Sequence, residues 1–412
     1  MKSTIRHIRN THQPFNQTCR LSCRFERVTT KNTVGNSNVL TISAQYGLVN
    51  QLEYYNQQYA SENTSGYTLL KKGEFAYNKS YSDGYPWGAI KRLSRYEEGI
   101  VSPIYLCFAA KPGTCSEFYE QYFEAGLLNR EIYRIAQEGA RNHGLLNIAT
   151  DDFFHAQIID PPLEEQKRIA EILECCDKVI RLKRELVEEK KKQKKSLMQK
   201  LLNPDSGFRL PGFKGDWKSV SLEKCGKWTG GGTPSKQNPA FWENGTIKWI
   251  SSQEVKVRLL LDTTFRITEK AIKESTSNLV PSNSLIFVTR SGVLQHSFPI
   301  AKIIEPMAIN QDIKALTVDE RFGIDFVQQL LEYHESDILK NYIKAGTTVE
   351  SLMYDAFKKM TLMIPEKEEQ QAIATILSSA DREIDLLEQD LAQWEQKKKS
   401  LAQLLLTGKA RV

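Results

Sequence analysis

No stretch of this sequence is both long and apolar enough to cross a bilayer. The longest mostly apolar run, GIVSPIYLCFAA, falls well short of the roughly 20 residues a spanning helix needs. The start, MKSTIRHIRNTHQPF, lacks the apolar core of a secretion signal. Cysteine is sparse and odd in number: the seven, Cys19, Cys23, Cys107, Cys115, Cys175, Cys176 and Cys225, form no C-x-x-C pair of the zinc-binding type. No phosphate loop of the form G-x-x-x-x-G-K-[ST] exists. These absences argue against a disulfide-stapled secreted domain, a zinc ribbon and a P-loop enzyme, and lead us to expect a reduced, cytoplasmic protein with no membrane partner.

What is present suits a soluble globular chain. At 412 residues, two or three domains can each bury a core. Apolar residues make up 40%, charged residues 26%, and the net charge is +6, a mildly basic balance that permits a nucleic-acid partner without requiring one.

One short stretch raises a catalytic question. IIDPPLEEQKRIAEIL, residues 158–173, contains the Asp-Pro-Pro seen in adenine-N6 methyltransferases. The answer lies 204 residues downstream. PPLEEQKRIAEILECCDKVIRLKRELVEEKKKQKKSLMQKLLN, from Pro161, aligns without a gap on PEKEEQQAIATILSSADREIDLLEQDLAQWEQKKKSLAQLLLT, from Pro365, with 18 of 43 positions identical. The second copy reads LMIPEKEEQ and has lost the Asp and the second Pro. What recurs is therefore a helix start: proline in the first turn and a Glu pair on the positive end of the helix dipole. A methyltransferase would also want an aromatic after D-P-P and a glycine-rich cofactor loop, and neither is evident. Asp160 reads as structural.

Ile373, Leu377, Ala380, Ile384, Leu387, Leu391, Trp394, Leu401 and Leu405 follow a heptad pattern broken at Lys398. Ile169, Leu173, Cys176, Ile180, Val187, Leu197 and Leu201 hold the same places in the first copy, with Lys183, Lys190 and Lys194 interrupting. Each segment should be one helix of about 40 residues, roughly 60 Å long. The simplest partner for each stripe is the other, so we expect an intramolecular antiparallel coiled coil; two helices used separately for dimerisation is the alternative. The lysine run KKKQKK at 190–195 is either a solvated helix face or a DNA contact.

PDSGFRLPGFKGDW reads as a linker, 204–216, so the chain divides into a globular half at 1–160, a helix at 161–203, a second half at 217–364 and a second helix at 365–407. The fold class is α+β, two pseudo-repeated mixed domains and two long helices. SNVLTISAQYG pairs with TIKWISSQEVK, and LLKKGEFAYNKSYSDGYPWGAIKRL with LVPSNSLIFVTRSGVLQHSFPIAKI, each of the latter a turn, an apolar strand, a polar loop and another strand. EGARNHGLLNIATDDFF and KAGTTVESLMYDAFKKM end the two halves.

Polar, basic and aromatic side chains concentrate in the loops, a mixture suited to phosphate contact plus base-edge readout. The first half offers Lys79, Tyr81, Tyr85, Trp87, Lys91, Arg92, Arg141, Asn142 and His143. The second offers Thr233, Ser235, Lys236, Arg290, Ser291, Gln295, His296, Thr347 and Thr348. Tyr85 and Trp87 can equally staple their loop, and the glycines of WTGGGTPS serve either a phosphate approaching the backbone or a flexible turn.

The EEQ...IA.IL helices, GFRLPGFKGDWKSVSL and GGGTPS.....FW...I.WI together resemble the specificity subunit of type I restriction-modification systems over nearly the whole chain. The resemblance implies a non-catalytic subunit whose two globular halves each recognise one part of a split, asymmetric site in double-stranded DNA, joined by conserved helices. It also implies two modification subunits that bring S-adenosylmethionine, and restriction subunits that use ATP and magnesium; this chain itself is expected to bind no cofactor and no metal. A coiled-coil scaffold without DNA, and a chain whose first recognition domain is disabled, are the alternatives. The sequence departs from the family at PFNQTCRLSCRFERVTTKN, which stands where a short strand is expected; Phe15 could occupy the place of Trp217.

Overall fold

A computed structural model of the chain describes Arg9–Asn10 as backbone and, in full, residues 17–43, 46–57, 63–82, 84–136, 146–346 and 349–412. The chain forms two compact units: residues 1–184 with 389–412, and residues 185–388.

In the first unit, four antiparallel strands lie in the order Phe25–Arg27, Leu106–Ala110, Phe75–Asn78, Ala89–Arg92. Alternation divides their side chains between two cores. Phe25, Phe75, Tyr77 and Phe108 join Phe118, Tyr119, Tyr122 and Phe123 of the helix Ser116–Glu124, and Phe153 of the helix Thr150–His155. Ala76 and Cys107 face the other way, onto Leu40, Leu48, Leu70 and Val101. The aromatic core is closed by Ile169, Ala170 and Leu173 of the first long helix and by Ala402, Leu405 and Leu406 of the second.

The second unit repeats this plan. Gly226–Gly230, Ile313–Val318, Ser284–Val288 and Ile300–Ile303 form the equivalent antiparallel sheet, extended by Leu259–Leu260 in parallel. One face, with Leu285, Phe287 and Leu316, packs on Phe326, Val327, Leu330 and Leu331 of the helix Ile324–Tyr333 and on Ile373, Ala374 and Leu377 of the second long helix. The other, with Ile286, Val288, Ala301 and Ala315, covers a second, four-stranded sheet through Ile250, Val280 and Ile309. The matched strand–loop–strand segments read from the sequence are thus structural equivalents: FAYN with LIFV, AIKR with IAKI.

The first half does not lack its opening strand. Thr18–Arg20 pairs with Gln157–Ile159, as Lys218–Ser221 pairs with Thr361–Ile364. Leu21 then donates its amide to the Ala156 carbonyl and Leu222 to that of Met360, both at 2.8 Å, and both side chains are fully buried. The strand residues themselves, Thr18, Cys19 and Arg20, carry little apolar signal. Phe15 lies outside the described residues.

The long helices run over Leu163–Leu201 and Lys367–Leu406. Within each unit they pair antiparallel. Asp177 meets Lys398 at 2.5 Å in the first unit, and Asp381 meets Lys194 at 2.5 Å in the second. Every expected seam residue, from Ile169 to Leu405, is buried or half-buried. The lysines that interrupt the seam each find an acid on the opposite helix: Lys183 finds Asp390 and Lys190 finds Glu383. In the run at 190–195, Lys191 pairs with Glu388, Lys192 lies 3.9 Å from Glu189 and Lys194 also reaches Glu332, so most of its charge is held by acids of the same unit.

The EEQ signature fastens each helix to its unit. Gln166 accepts from the Cys115 amide at 3.1 Å and donates to the Pro161 carbonyl at 2.8 Å; Gln370 accepts from Gly323 at 2.9 Å and donates to Pro365 at 2.9 Å. Both glutamines are buried. Glu369 is clasped by Arg209 of the linker through two bonds, 2.8 and 2.6 Å, which gives GFRLPGF its fixed path.

Candidate nucleic-acid interface

In the second unit, the pairing Gly230–Lys314 and Val288–Ile313 brings three strand ends to one edge of the sheet. The loops at 231–236, 289–298 and 310–312 all leave from there. Thr233 donates to Gln311 at 2.5 Å, and Thr289 bonds the Asp312 carbonyl through both its amide, 2.7 Å, and its hydroxyl, 3.0 Å. Two of the expected binding loops are thereby tied to one turn. Ser351 is the backbone partner of Arg290 on one side and of Lys344 on the other. Directly opposed residues point to the same face, so these two exposed cations form a short ladder. Neither side chain has an ionic partner among the described residues. Lys236, Gln295 and His296 are exposed beside this edge, while Ser291 spends its hydroxyl on the amide of Val293 at 3.4 Å. Ser235 is exposed, with its carbonyl holding the Trp242 indole at 3.0 Å.

Two of the three glycines of WTGGGTPS, Gly231 and Gly232, lie close against other backbone. A Cβ on Gly231 would stand 2.0 Å from the Ile309 carbonyl oxygen, and one on Gly232 would stand 2.5 Å from that of Thr276. Their role is close packing of backbone on backbone.

The equivalent loop of the first unit, 79–88, is built differently. Tyr77 donates to the Trp87 carbonyl at 2.7 Å, and the Trp87 ring stacks edge-on against Tyr133 at 5.2 Å. Tyr85 donates to Glu124, and Lys91, 8% exposed, bonds both, at 3.0 Å to the phenol and 2.5 Å to the carboxylate. Burial, reinforced by Glu124, pushes the Tyr85 phenol up, so it stays a neutral donor. Arg92 is held by Glu117 and Glu120, each at 2.7 Å. Burial raises the Glu120 carboxyl and Arg92 pulls it back. The second unit repeats the Arg92–Glu117 contact as Lys302–Asp325. Tyr85, Lys91 and Arg92 therefore fasten the sheet to its helix, through acids that lie some 25 to 39 residues downstream, beyond the reach of a local motif.

Lys79, half-buried, and Tyr81, 63% exposed, remain outward. Tyr133, 65% exposed, and Arg130, one turn earlier on the helix Asn129–Ile135, extend that surface. The Lys79 carbonyl receives the Leu146 amide at 2.9 Å, as Thr289 receives Leu352 at 2.8 Å. Arg141, Asn142, His143, Thr347 and Thr348 lie outside the described residues.

Asp160 accepts two bonds from Arg24, 2.7 and 2.8 Å, and one from Tyr119 at 3.3 Å. Its side chain is used up in holding the start of the unit to its end. Among the described residues no group of three or more His, Cys, Asp or Glu is placed to hold a metal ion, and no helix is long and apolar enough to cross a membrane.

Residues 214–396 match the family model described as the type I restriction modification DNA specificity domain. The specificity subunit of the type I restriction enzyme EcoR124I/EcoR124II of Escherichia coli is 35% identical over 215 residues, covering 52% of this chain and 51% of that protein. Residues 214–396 are thus similar to the type I restriction-modification DNA specificity domain. The chain's match to that relative spans about half the relative's length. The MjaVIII specificity subunit of Methanocaldococcus jannaschii is 27% identical over 336 residues, 77% of this chain and 75% of that one. The solved S subunit of a type I system from M. genitalium shares the fold, with a TM-score of 0.60 at 15% identity, over 96% of this chain and 97% of that one.

The chain carries one further internal repeat. EFYEQYFE, from Glu117, and DFVQQLLE, from Asp325, are 208 residues apart and share Phe118/Phe326, Gln121/Gln329 and Glu124/Glu332. Gln121 donates to Asp177 at 2.8 Å and Gln329 to Asp381 at 2.9 Å, so each unit's helix is bonded to the same place on the helix pair. Aromatic residues in one copy replaced by aliphatic ones in the other hid the match.

Proposed function

We propose that this chain is the non-catalytic, DNA-reading subunit of a type I restriction-modification complex. Each unit reads one part of a bipartite, asymmetric site in double-stranded DNA, and modification and restriction subunits bring adenine-N6 methylation and cleavage. The observation that carries the reading is the repeated plan: in both units the loop between the same two strands (79–88 and 289–299) leaves the same sheet edge beside a returning segment, at Leu146 and Leu352. The outward residues, Lys79, Tyr81, Arg130 and Tyr133 in one unit and Arg290, Lys344, Lys236, Gln295 and His296 in the other, combine phosphate-seeking cations with groups that can meet base edges. S-adenosylmethionine, ATP and magnesium belong on the partner subunits in this reading.

The test is to co-express the chain with a cognate modification subunit in a methylation-free host and to map N6-methyladenine by single-molecule sequencing. A split motif with a constant gap is the expected result. Methylation governed by one short cluster would mean that only one unit reads DNA. An assembled complex that methylates nothing would overturn the proposal, as would binding of S-adenosylmethionine by the purified chain alone for its non-catalytic part.

A further inference from the structure

The ion pairs between the long helices sort into two kinds once residues 204 apart are compared. Asp177–Lys398 and Asp381–Lys194 are the same pair in the two units, with the acid on the first helix in one and on the second in the other. Arg184–Glu395, at 2.5 Å, and Glu388–Lys191, at 2.8 Å, are also equivalent places, but there both cations sit on the first helix and both acids on the second. Lys183 and Lys190 add to the same bias, facing Asp390 and Glu383.

Because the two helices share their apolar seam, a first helix could pair with the first helix of another copy almost as well as with its own second helix. The charges decide between the two. In such a self-pair Asp177 would still meet Lys194. Arg184, however, would meet Lys191 twice, once from each side, and Lys183 and Lys190 would face Leu186 and Val179 in place of acids. Two second helices would likewise oppose Glu388 and Glu395. We infer that the segregated charges at 184, 191, 388 and 395 are a pairing-specificity device, which makes the first helix accept the second helix and reject a second copy of itself. Each pair is exposed and individually weak, and such flanking charges set coiled-coil partner choice without holding the coil together. The inference concerns the helices alone and stands apart from the DNA-reading proposal.

The full chain can test it through R184E/E395R. Every intramolecular pair stays matched in that variant, so helical circular dichroism should equal the parent's. The acid introduced at 184 would now attract Lys191 of another copy, and the base introduced at 395 would attract Glu388. In sedimentation velocity at low salt, the dissociation constant for the dimer should fall about tenfold from the parent's. K191E/E388K should do the same, and combining all four substitutions, which segregates the charges again with signs reversed, should return the parent's behaviour. The difference should vanish in about 1 M salt, where the screening length is ~3 Å. An unchanged dissociation constant in both swaps, a quadruple variant that self-associates like the single swaps, or a salt-independent difference would each overturn the inference.

Discussion

Gln166 and Gln370 do the same work at positions 204 residues apart, each bridging a proline carbonyl and the amide that opens a neighbouring helix. Gln370→Ala would leave the Gly323 amide and the Pro365 carbonyl without partners in a buried place, and should cost about 1–3 kcal/mol in urea unfolding. Cationic residues divide by what they already hold. Arg290→Ala should weaken binding to cognate DNA, with modification subunits present, and lower the slope of affinity against salt by about one unit, the loss of one phosphate contact. Arg92→Ala should leave that slope alone and reduce stability, since it strands Glu117 and Glu120. The cysteines divide by burial. Burial pushes the Cys107 thiol up to about 12 and the Cys225 thiol up to about 11, so neither supplies thiolate at pH 8. Iodoacetamide at that pH should label the exposed Cys23 and Cys175 first, as read by peptide mass spectrometry.

At the scale of elements, the long helices were the most legible part of the sequence. A gapless repeat and a heptad stripe report local periodicity, and periodicity needs no knowledge of distant partners. The lysines in the stripe looked like flaws because their acids, Asp390, Glu383, Asp381 and Asp177, sit on the other helix some 190 to 220 residues away. Long-range partners also explain what the loops concealed: Gly231 is small because of Ile309, and Lys91 and Arg92 are inward because of the helix Ser116–Glu124. Lys344 was invisible as a candidate for binding until the strand pairing set it beside Arg290. If the helix pair spaces the two reading units, inserting four residues into one helix moves a unit by roughly 6 Å, about two base pairs of DNA. Methylation mapping of that variant should show an altered gap between half-sites, and an unaltered gap would rule out the spacing role.

For the molecule as a whole, two units of one plan mean that, if each reads its own half-site as proposed, the two specificities are separable. Replacing residues 217–364 with the corresponding segment of another specificity subunit should change one half of the methylated motif and preserve the other. The units differ in how the chain supplies them. The second is a single run, residues 185–388, whereas the first draws on residues 1–184 and 389–412. Its aromatic core is incomplete until Ala402, Leu405, Leu406 and Ala410 arrive. On the ribosome, therefore, the half made first must wait. The second unit can close once its own residues have emerged, while the first lacks the contribution of Ala402, Leu405, Leu406 and Ala410 to its core, a period of exposure to proteases and chaperones set by the speed of translation.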